Sequence, residues 1–252
     1  MRVKLTLIAE REKTQLPFNY SFAVAALIYR TLGQASEEFA AHLHEEGFTS
    51  QNRKFKLFTF SRLDLKILDR HNDQLRLADR NVTLQVSSPV SQFVKHFVEG
   101  LFQSDTFIIS NAAFALANAE TLPSPEFTER MTFRALSPIT EMTDVEGSKH
   151  GRFLDLSDNW SEITRRNLLH KYYALHGKKP ADDRLHWTWD REYIAAAERR
   201  GRRLSTLTDI HGIKVRGWRV PFTVEGSREL IELGYEAGFG NRNSMGHGMV
   251  EK

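Results

Sequence analysis

Polar and apolar residues alternate in some parts of this chain and cluster in others, and the two patterns predict different elements. Residues 2–9 alternate in steps of two, which predicts a β-strand with one buried face. The Ala- and Leu-rich segment 22–32 predicts a first helix. Ser36 suits the N-cap of a second helix, because two glutamates follow it in the first turn, and we expect that helix to end at Gly47.

The remainder of the first half predicts further strands and a third helix. We expect a strand at 55–60 and a hairpin or strand pair formed by 75–77 and 82–86. Residues 90–101 predict a helix, since large apolar side chains recur every four positions on one face. The run 107–117 fits either a strand or a helix, and we take it as a strand. The resulting order, β-α-β-β-α-β with one additional short helix, is typical of a ferredoxin-like unit.

A proline-rich segment divides the chain, because residues 121–126 contain two prolines and predict a linker. Beyond it, the patterns predict strands at 131–136, within 210–224 and in the last ten residues, and helices at 160–176 and 225–233. We therefore predict an α+β fold with two tandem ferredoxin-like (RRM-like) domains, at 1–120 and 127–252, and a C-terminal glycine-rich loop.

The composition narrows the class of protein. The 252 residues are 40% hydrophobic and carry a net charge of +3, as in ordinary globular proteins. The chain has no cysteine, which excludes thiol nucleophiles, disulfides and thiolate zinc sites and is compatible with a reducing compartment. The longest apolar run, Phe22–Tyr29, is far shorter than the ~20 residues that span a bilayer. We expect a cytoplasmic protein with no membrane partner.

Glycine is concentrated near the C-terminus, where five of the 15 glycines fall between 234 and 248. Such a loop lets main-chain N–H groups approach an anion, and Arg242, Asn243 and Ser244 add donors suited to phosphate. A simple glycine-rich turn is an equally good interpretation from composition. The loop lacks the Gly-Lys-Ser/Thr of a Walker motif, and too few residues follow it for a dinucleotide-binding unit.

Residues 234–250 resemble the C-terminal glycine-rich motif of the CRISPR-associated repeat RNA endoribonucleases, the Cas6 family of the RAMP superfamily. The segments Leu27-Ile-Tyr29, Leu43-His-Glu45 and 56–61 resemble the same family in order and spacing, as do Asn19-Tyr20 and Leu136-Ser-Pro138. The resemblance implies two tandem ferredoxin-like domains. It also implies metal-independent cleavage of CRISPR repeat RNA in precursor transcripts, which yields crRNA.

Such cleavage uses the RNA 2′-hydroxyl as nucleophile and gives a 2′,3′-cyclic phosphate and a 5′-hydroxyl. The reaction is helped by a base, an acid and a cation at the phosphate. The resemblance assigns catalysis to Tyr29, His44 and Lys56. Helix geometry alone leaves His42 as a rival to His44, and Lys54 could replace Lys56. Because a phenol ionises well above neutral pH, Tyr29 is either the base or a group that orients the RNA.

Basic residues suggest where RNA would lie. The densest run is 199–203, followed by Lys214 and Arg216 on a shared strand face near Trp218, with Arg219 on the opposite face. Trp187 and Trp189 are better explained as core residues. The residues that we predict to bind RNA are Lys54, Arg202, Arg203, Lys214, Arg216, Gly238, Gly240, Arg242, Asn243, Ser244, Gly246 and Gly248.

The histidines and carboxylates form no recognisable metal-binding pattern, so we expect no metal and no cofactor. The expected partner is CRISPR repeat RNA in precursor crRNA, with other CRISPR effector proteins as potential further partners, and the chain would act as a monomer or homodimer. One alternative function is a catalytically silent RNA-binding subunit of a CRISPR effector complex. Another is a scaffold that docks onto other effector proteins without binding RNA.

Overall fold

The computed structural model describes residues 1–144, 151–210 and 212–252, which contain two larger antiparallel sheets flanked by helices and three two-stranded sheets. The helices are α1 (Ser21–Ala35), α2 (Glu37–Glu45), α3 (Ser91–Phe102), α4 (Trp160–His176), α5 (Arg191–Arg199) and α6 (Arg228–Ala237). The strands of the first half are β1 (Arg2–Ala9), β2 (Gln15–Pro17), β3 (Phe48–Ser50), β4 (Arg53–Phe55), β5 (Thr59–Phe60), β6 (Asp64–His71), β7 (Gln74–Ser87), β8 (Phe107–Ile109) and β9 (Ala112–Leu122). Those of the second half are β10 (Arg130–Ala135), β11 (Met142–Thr143), β12 (Arg152–Phe153), β13 (Leu185–Trp189), β14 (Ser205–Ile210), β15 (Ile213–Trp218), β16 (Phe222–Gly226) and β17 (Val250–Glu251).

The first sheet is built around β1. Its order is β2-β7-β1-β9-β8, and β5 and β6 both pair with β7. The alternation of β1 buries Val3, Leu5 and Leu7, as the sequence predicted. On α3, Phe93 and Phe97 are also buried, which confirms the predicted inward face of that helix.

The second sheet has the order β13-β16-β10-β17, and α4 and α6 pack together beside it. Trp187 and Trp189 are buried, which confirms them as core residues. The ring of Trp187 stacks on Phe222 with centroids 3.7 Å apart. The predicted helix at 160–176 is confirmed at both ends, and Asn159 caps it by accepting a hydrogen bond from the N–H of Glu162.

The two sheets are joined by polar contacts as well as by a shared hydrophobic core. The Arg2 guanidinium is buried, lies 3.9 Å from the centroid of the Tyr235 ring and donates to the Tyr235 carbonyl oxygen. Thr59 on β5 donates through Oγ1 to the carbonyl oxygen of His247, at 2.9 Å. The C-terminal loop therefore rests directly on the first sheet.

Several predicted strands were wrong in extent. Residues 55–60 are divided between β4 and β5, because Leu57 has a φ of 50° and the chain crosses there from one sheet to another. The predicted pair at 75–77 and 82–86 is one strand, β7. The polar residues between the two predicted segments form the exposed central part of β7, where Arg80 donates a hydrogen bond to the carbonyl oxygen of Ala9.

The other differences arise at turns. Residues 107–117 form the hairpin β8–β9, since Ser110 has a φ of 57° that reverses the chain. The region 210–224 contains the end of β14, all of β15 and the start of β16. Of the last ten residues only β17 is a strand, because 243–245 form a 3₁₀ turn that closes the glycine-rich loop. The helix predicted at 225–233 is α6, which begins three residues later.

Candidate functional site

Three side chains predicted to carry the chemistry lie together at the C-terminal end of α2. The rings of Tyr29 and His44 meet edge to face, with centroids 5.2 Å apart. Lys56 Nζ donates a hydrogen bond to the main-chain oxygen of His44, at 2.6 Å. A phenol, an imidazole and an ammonium group therefore converge, although they come from three different segments of the chain.

Two lysines close the end of α2 beside this cluster. Lys54 Nζ donates to the carbonyl oxygen of Glu45, at 3.2 Å, next to the bond made by Lys56. The last carbonyl groups of a helix lack an intrahelical partner and carry partial negative charge, so both ammonium groups stabilise this end. Gly47 permits the turn here, because a Cβ would lie 2.5 Å from a main-chain oxygen of β4. Burial, followed by repulsion from Lys54, lowers the pKa of Lys56.

Tyr29 is a half-buried residue whose ring rests on the core. Its ring contacts Phe58 edge to face, with centroids 5.7 Å apart, and Phe58 in turn stacks on Phe93. Burial raises the pKa of Tyr29 above its ordinary value. At neutral pH the side chain is therefore a neutral phenol, which can orient a substrate by hydrogen bonding but is a poor proton acceptor.

The two histidines of α2, which the helical periodicity could not separate, have different neighbours. His42 Nδ1 lies 3.3 Å from Glu46 Oε2, one turn further along the helix. His44 instead contacts Tyr29 and lies beside the two lysines. The packing of α2 against α1 therefore distinguishes the two candidates, because it places His44 against the ring of Tyr29 and leaves His42 beside Glu46.

A cleft of about 550 Å³ opens next to this cluster. Lys54 and Lys56 line one side of it, while Arg242 and Ser244 of the glycine-rich loop line another. Residues that the sequence predicted separately as catalytic cations and as phosphate donors therefore share one cavity. Arg53 also lines this cavity and adds to its positive charge.

The glycines of the loop are packed against protein. At the four positions predicted to contact RNA, an added Cβ would lie between 2.0 and 2.7 Å from another protein atom, and φ is between 75° and 88°. These four are Gly238, Gly240, Gly246 and Gly248. At Gly246 the obstructing atom belongs to the ring of Phe60 on β5. Glycine is thus required here by close packing and by backbone conformation, and RNA contact stays a prediction for these residues.

A buried lysine on α4 holds the loop from within the protein. Lys171 Nζ donates to the carbonyl oxygens of Gly238 and Gly240 and to Oδ1 of Asn243, each at 2.7 Å. Burial lowers the pKa of Lys171, and burial raises the pKa of the nearby buried carboxyl of Glu141. We call this set of groups the Lys171 cage.

Asn243 is part of this internal network. Its Nδ2 donates to the carbonyl oxygens of Phe239 and His247, at 3.1 and 3.0 Å, while its Oδ1 accepts from Lys171. Both ends of the amide are therefore engaged inside the loop, and contact of Asn243 with phosphate stays a prediction. Arg242 and Ser244 reach the cleft and remain the side chains suited to that role.

Two of the basic residues predicted to bind RNA in the second half of the chain are already paired with carboxylates. Lys214 Nζ lies 2.7 Å from Asp209 Oδ2, and Arg216 Nη1 lies 2.8 Å from Asp155 Oδ1. Lys214 and Arg216 do share the exposed face of β15, as predicted. Their charges are balanced within the protein, which weakens them as candidate phosphate contacts.

A cluster of three arginines, Arg62, Arg202 and Arg219, was predicted only in part from the sequence. Arg219 lies beyond the end of β15, so the predicted placement of this residue on that strand was wrong. Burial and then the guanidinium groups of Arg62 and Arg202 lower the pKa of Arg219, which places three cations near one another. Arg203 is exposed beside Arg202. Sequence reasoning missed Arg62, since it lies in the other half of the chain.

Lys171 and Asn167 were also missed. Both occupy the buried side of α4, on which Leu168 and Tyr172 also lie. Asn167 Nδ2 donates to Asn241 Oδ1 at 3.0 Å, and Asn241 in turn donates to Glu141. The available signal was a lysine and an asparagine four residues apart among inward-facing apolar positions, because such residues are seldom buried without a partner.

In the described ranges, no group of three or more His, Asp or Glu side chains is placed to hold a metal ion. Among the helices of those same ranges, none has the length and apolar character needed to cross a membrane.

Comparison with solved structures defines the class of fold. The structure described as a "Cas6-related gene from Pyrococcus furiosus" superposes with a TM-score of 0.84 at 25% identity, covering 100% of this chain and 97% of that one. A structure titled "An RAMP protein binding different RNA substrates" superposes with a TM-score of 0.78 at 23% identity, over 100% of this chain and 98% of that one. The mixed α/β fold is therefore that of Cas6 and RAMP proteins.

Sequence comparison defines the family. The family described as "CRISPR associated protein Cas6, C-terminal" matches residues 122–252, and "CRISPR-associated protein Cas6, N-terminal" matches residues 15–120. A relative from Methanocaldococcus jannaschii, "CRISPR-associated endoribonuclease Cas6 1", is 31% identical over 99% of this chain and 92% of its own length. This chain belongs to the Cas6 family, as its motifs suggested.

Proposed function

We propose that this protein is an endoribonuclease that cleaves CRISPR repeat RNA within precursor transcripts and so releases crRNA. The proposal is supported by family membership, by the named activity of the Methanocaldococcus jannaschii relative, and above all by one arrangement in the structure. That arrangement is the convergence of Tyr29, His44 and Lys56 beside a cationic cleft.

The proposed reaction is a transesterification that needs no metal ion. The 2′-oxygen attacks the adjacent phosphorus, the bond from phosphorus to the 5′-oxygen breaks, and the products carry a 2′,3′-cyclic phosphate and a 5′-hydroxyl. His44, as an imidazolium, donates a proton to the leaving 5′-oxygen, a contribution typically of about 10²–10⁴-fold. The proton of the 2′-hydroxyl passes to solvent water at this open surface.

Tyr29 and Lys56 have supporting parts in the proposed reaction. Tyr29 stays protonated, since burial raises its pKa, and it orients His44 and the 2′-hydroxyl. Lys56 offers its ammonium to the charged phosphorane, where an oriented donor contributes roughly 10²–10³-fold. Lys54 extends the positive charge along the cleft.

We further propose that the chain consists of two tandem ferredoxin-like domains, at 1–120 and 127–252. In the first sheet, β9, β1, β7 and the strands β5 and β6 lie side by side. In the second sheet, the corresponding neighbours are β17, β10, β16 and β13. Both orders place the fourth strand of a unit next to the first, followed by the third and the second, which is the arrangement expected of this fold.

The RNA is proposed to enter the cleft between Lys56 and the glycine-rich loop. Arg242 and Ser244 would contact phosphate there, while the packed glycines hold the loop in place. The cluster of Arg62, Arg202 and Arg219 offers a second contact for the backbone of the same RNA.

The test is cleavage of labelled repeat RNA by the wild-type protein, by His44→Ala and by the matched variant His42→Ala. We expect His44→Ala to bind repeat RNA but to lose cleavage, whereas His42→Ala cuts at nearly the wild-type rate. RNA with a 2′-deoxy nucleotide upstream of the scissile phosphate should bind and resist cleavage, and EDTA should have no effect. Cleavage of that substrate would indicate attack by water, and an EDTA-sensitive reaction would exclude the metal-independent route.

The same experiment separates the alternative functions. A wild-type protein that binds repeat RNA tightly and never cuts it would be the catalytically silent subunit. Absence of RNA binding even at low salt would favour a scaffold that docks onto other effector proteins.

A further inference from the structure

A second cavity, of about 670 Å³, lies between α4 and the turn that joins β3 to β4. We call it the α4 pocket and define it by Ser50, Arg166, Leu169, His170, Tyr173 and Lys179, which line it. None of these residues takes part in the proposed cleavage. Their chemistry is mixed, with a phenol ring, an imidazole, a hydroxyl, one aliphatic side chain and two basic side chains.

The two cations of the α4 pocket make no direct contact with a carboxylate in the described ranges, although Arg166 acts at longer range on the buried carboxyl of Glu141. Neighbouring arginines do have partners, since Arg165 pairs with Glu162 and Asp183, and Arg184 pairs with Asp182. Arg166 and Lys179 make no ion pair with any carboxylate in the described ranges. Asp183 also lines the pocket, but its carboxylate is held by Arg165 at 2.9 Å. The pocket thus has surplus positive charge that suits an anion.

His170 lines the α4 pocket, and its pKa is affected by the positive charge around it. Its Nδ1 lies 3.1 Å from Ser50 Oγ, which anchors α4 to the end of β3. Burial and then the guanidinium groups of Arg53 and Arg166 lower the pKa of His170. The imidazole is therefore neutral at neutral pH, and the positive charge of the α4 pocket is carried by Arg166 and Lys179.

Tyr173 supplies a surface for a planar group. It is 46% exposed on α4, whereas its neighbour Tyr172 is buried and donates to Glu229. An exposed aromatic ring flanked by unpaired cations is the combination with which proteins bind single-stranded nucleic acid, by stacking on a base and contacting its phosphate.

The α4 pocket lies next to the cleft that is lined by Lys56, on the other side of the β3–β4 hairpin. Ser50, in the pocket, pairs directly with Arg53, in the cleft, across the two-residue turn of β3–β4. Opposite partners in an antiparallel pair have Cα atoms only about 5 Å apart, so one strand of RNA could pass from one cavity into the other.

We propose that the α4 pocket binds an unpaired nucleotide of the RNA substrate, with its base on Tyr173 and its phosphate between Arg166 and Lys179. This proposal rests on the proposed function, because it takes repeat RNA as the ligand. It assigns to these residues a role in RNA affinity and none in the chemical step.

The test measures binding of repeat RNA made resistant to cleavage by a 2′-deoxy nucleotide at the scissile position. Tyr173→Ala should raise Kd about tenfold, and Tyr173→Phe should restore binding, since a base stacks on either ring. Arg166→Gln and Lys179→Ala should each raise Kd several-fold and reduce its dependence on salt. Lys178→Ala, an exposed neighbour outside the pocket, should leave Kd unchanged. Single-turnover cleavage at saturating RNA should remain at the wild-type rate in all these variants.

A photo-crosslink locates the nucleotide directly. Repeat RNA with 4-thiouridine at successive positions should crosslink to α4 at one or two neighbouring positions, and Tyr173→Ala should abolish that crosslink. Unchanged Kd in the Tyr173 and Arg166 variants, together with no crosslink to α4, would overturn the pocket assignment while wild-type cleavage still supports the proposed function. If the wild-type protein neither binds nor cuts the RNA, both proposals are wrong.

Discussion

Substituting Lys171 by methionine would remove the cation at the centre of the Lys171 cage while keeping a side chain of similar length. Two carbonyl oxygens and the Asn243 Oδ1 would lose their donor inside the protein. A buried acceptor left without a partner costs about 1–3 kcal/mol. The uncharged side chain also avoids the cost of burying an ammonium group, which offsets part of that loss.

Three acceptors lose their donor at about 1–3 kcal/mol each, and the saving from not burying an ammonium group offsets part of that sum, so we expect a net loss of about 3–5 kcal/mol. In a protein of this size each kcal/mol lowers Tm by about 2–4 °C, so we expect Lys171→Met to lower Tm by roughly 6–20 °C. The exposed Lys95 on α3 is the matched control, and Lys95→Met should change stability by less than about 1 kcal/mol.

The assay is thermal and urea unfolding followed by circular dichroism, combined with RNA binding measured well below the lowered Tm. If the cage holds the loop, RNA affinity should fall even where the variant is folded. The double variant Lys171→Met with Glu141→Met should not recover the lost stability, because the three acceptors stay without a donor and the Asn241 amide loses its acceptor on Glu141. A decrease in the free energy of unfolding below about 1 kcal/mol in Lys171→Met would refute this reasoning. It would mean that the Lys171 side chain does not hold the loop from a buried position.

Three further changes test other parts of the site. Gly246→Val places a branched side chain at a φ of 82° and against the ring of Phe60, so both stability and RNA affinity should fall. Unfolding and filter-binding measurements would check this, and unchanged affinity would favour a purely structural loop. His247 is fully buried, and burial lowers its pKa to about 4. The unfolded chain binds a proton on this histidine near pH ~6.5, whereas the folded protein does so only near pH 4. The free energy of unfolding is therefore unaffected by His247 above pH ~6.5 and decreases by about 3 kcal/mol as the pH falls to 4. His247→Gln should flatten this dependence in urea titrations, and an unchanged slope would assign it to other groups. Tyr29→Phe removes only a neutral hydroxyl, so single-turnover cleavage should slow less than in His44→Ala and keep the wild-type pH profile. An altered alkaline limb in that profile would identify Tyr29 as the base after all.

Local features of the chain were predictable because they depend on neighbours in sequence. Ser36 followed by two glutamates predicted the start of α2, and its Oγ indeed accepts from the N–H of Phe39. The limits of α4 and the buried faces of β1 and α3 were predictable for the same reason. The motifs around residues 29, 44 and 56 pointed to the family and, through it, to a shared site.

Turns were harder to predict, because a single residue with positive φ is enough to divide an apolar run. Leu57 and Ser110 both adopt that conformation although neither residue type favours it. The surrounding packing imposes these turns, so the runs 55–60 and 107–117 did not remain single elements.

The sequence by itself determined the classes of element, the catalytic candidates and the family. Only the tertiary structure decided which histidine meets Tyr29, which basic residues are already paired, and why the C-terminal glycines are needed. Those answers depend on atoms far apart in the chain, such as Lys171 with Gly240 or Arg216 with Asp155. Periodicity reports which side of an element is buried, whereas the choice of partner in a buried contact is made only when separate elements pack together.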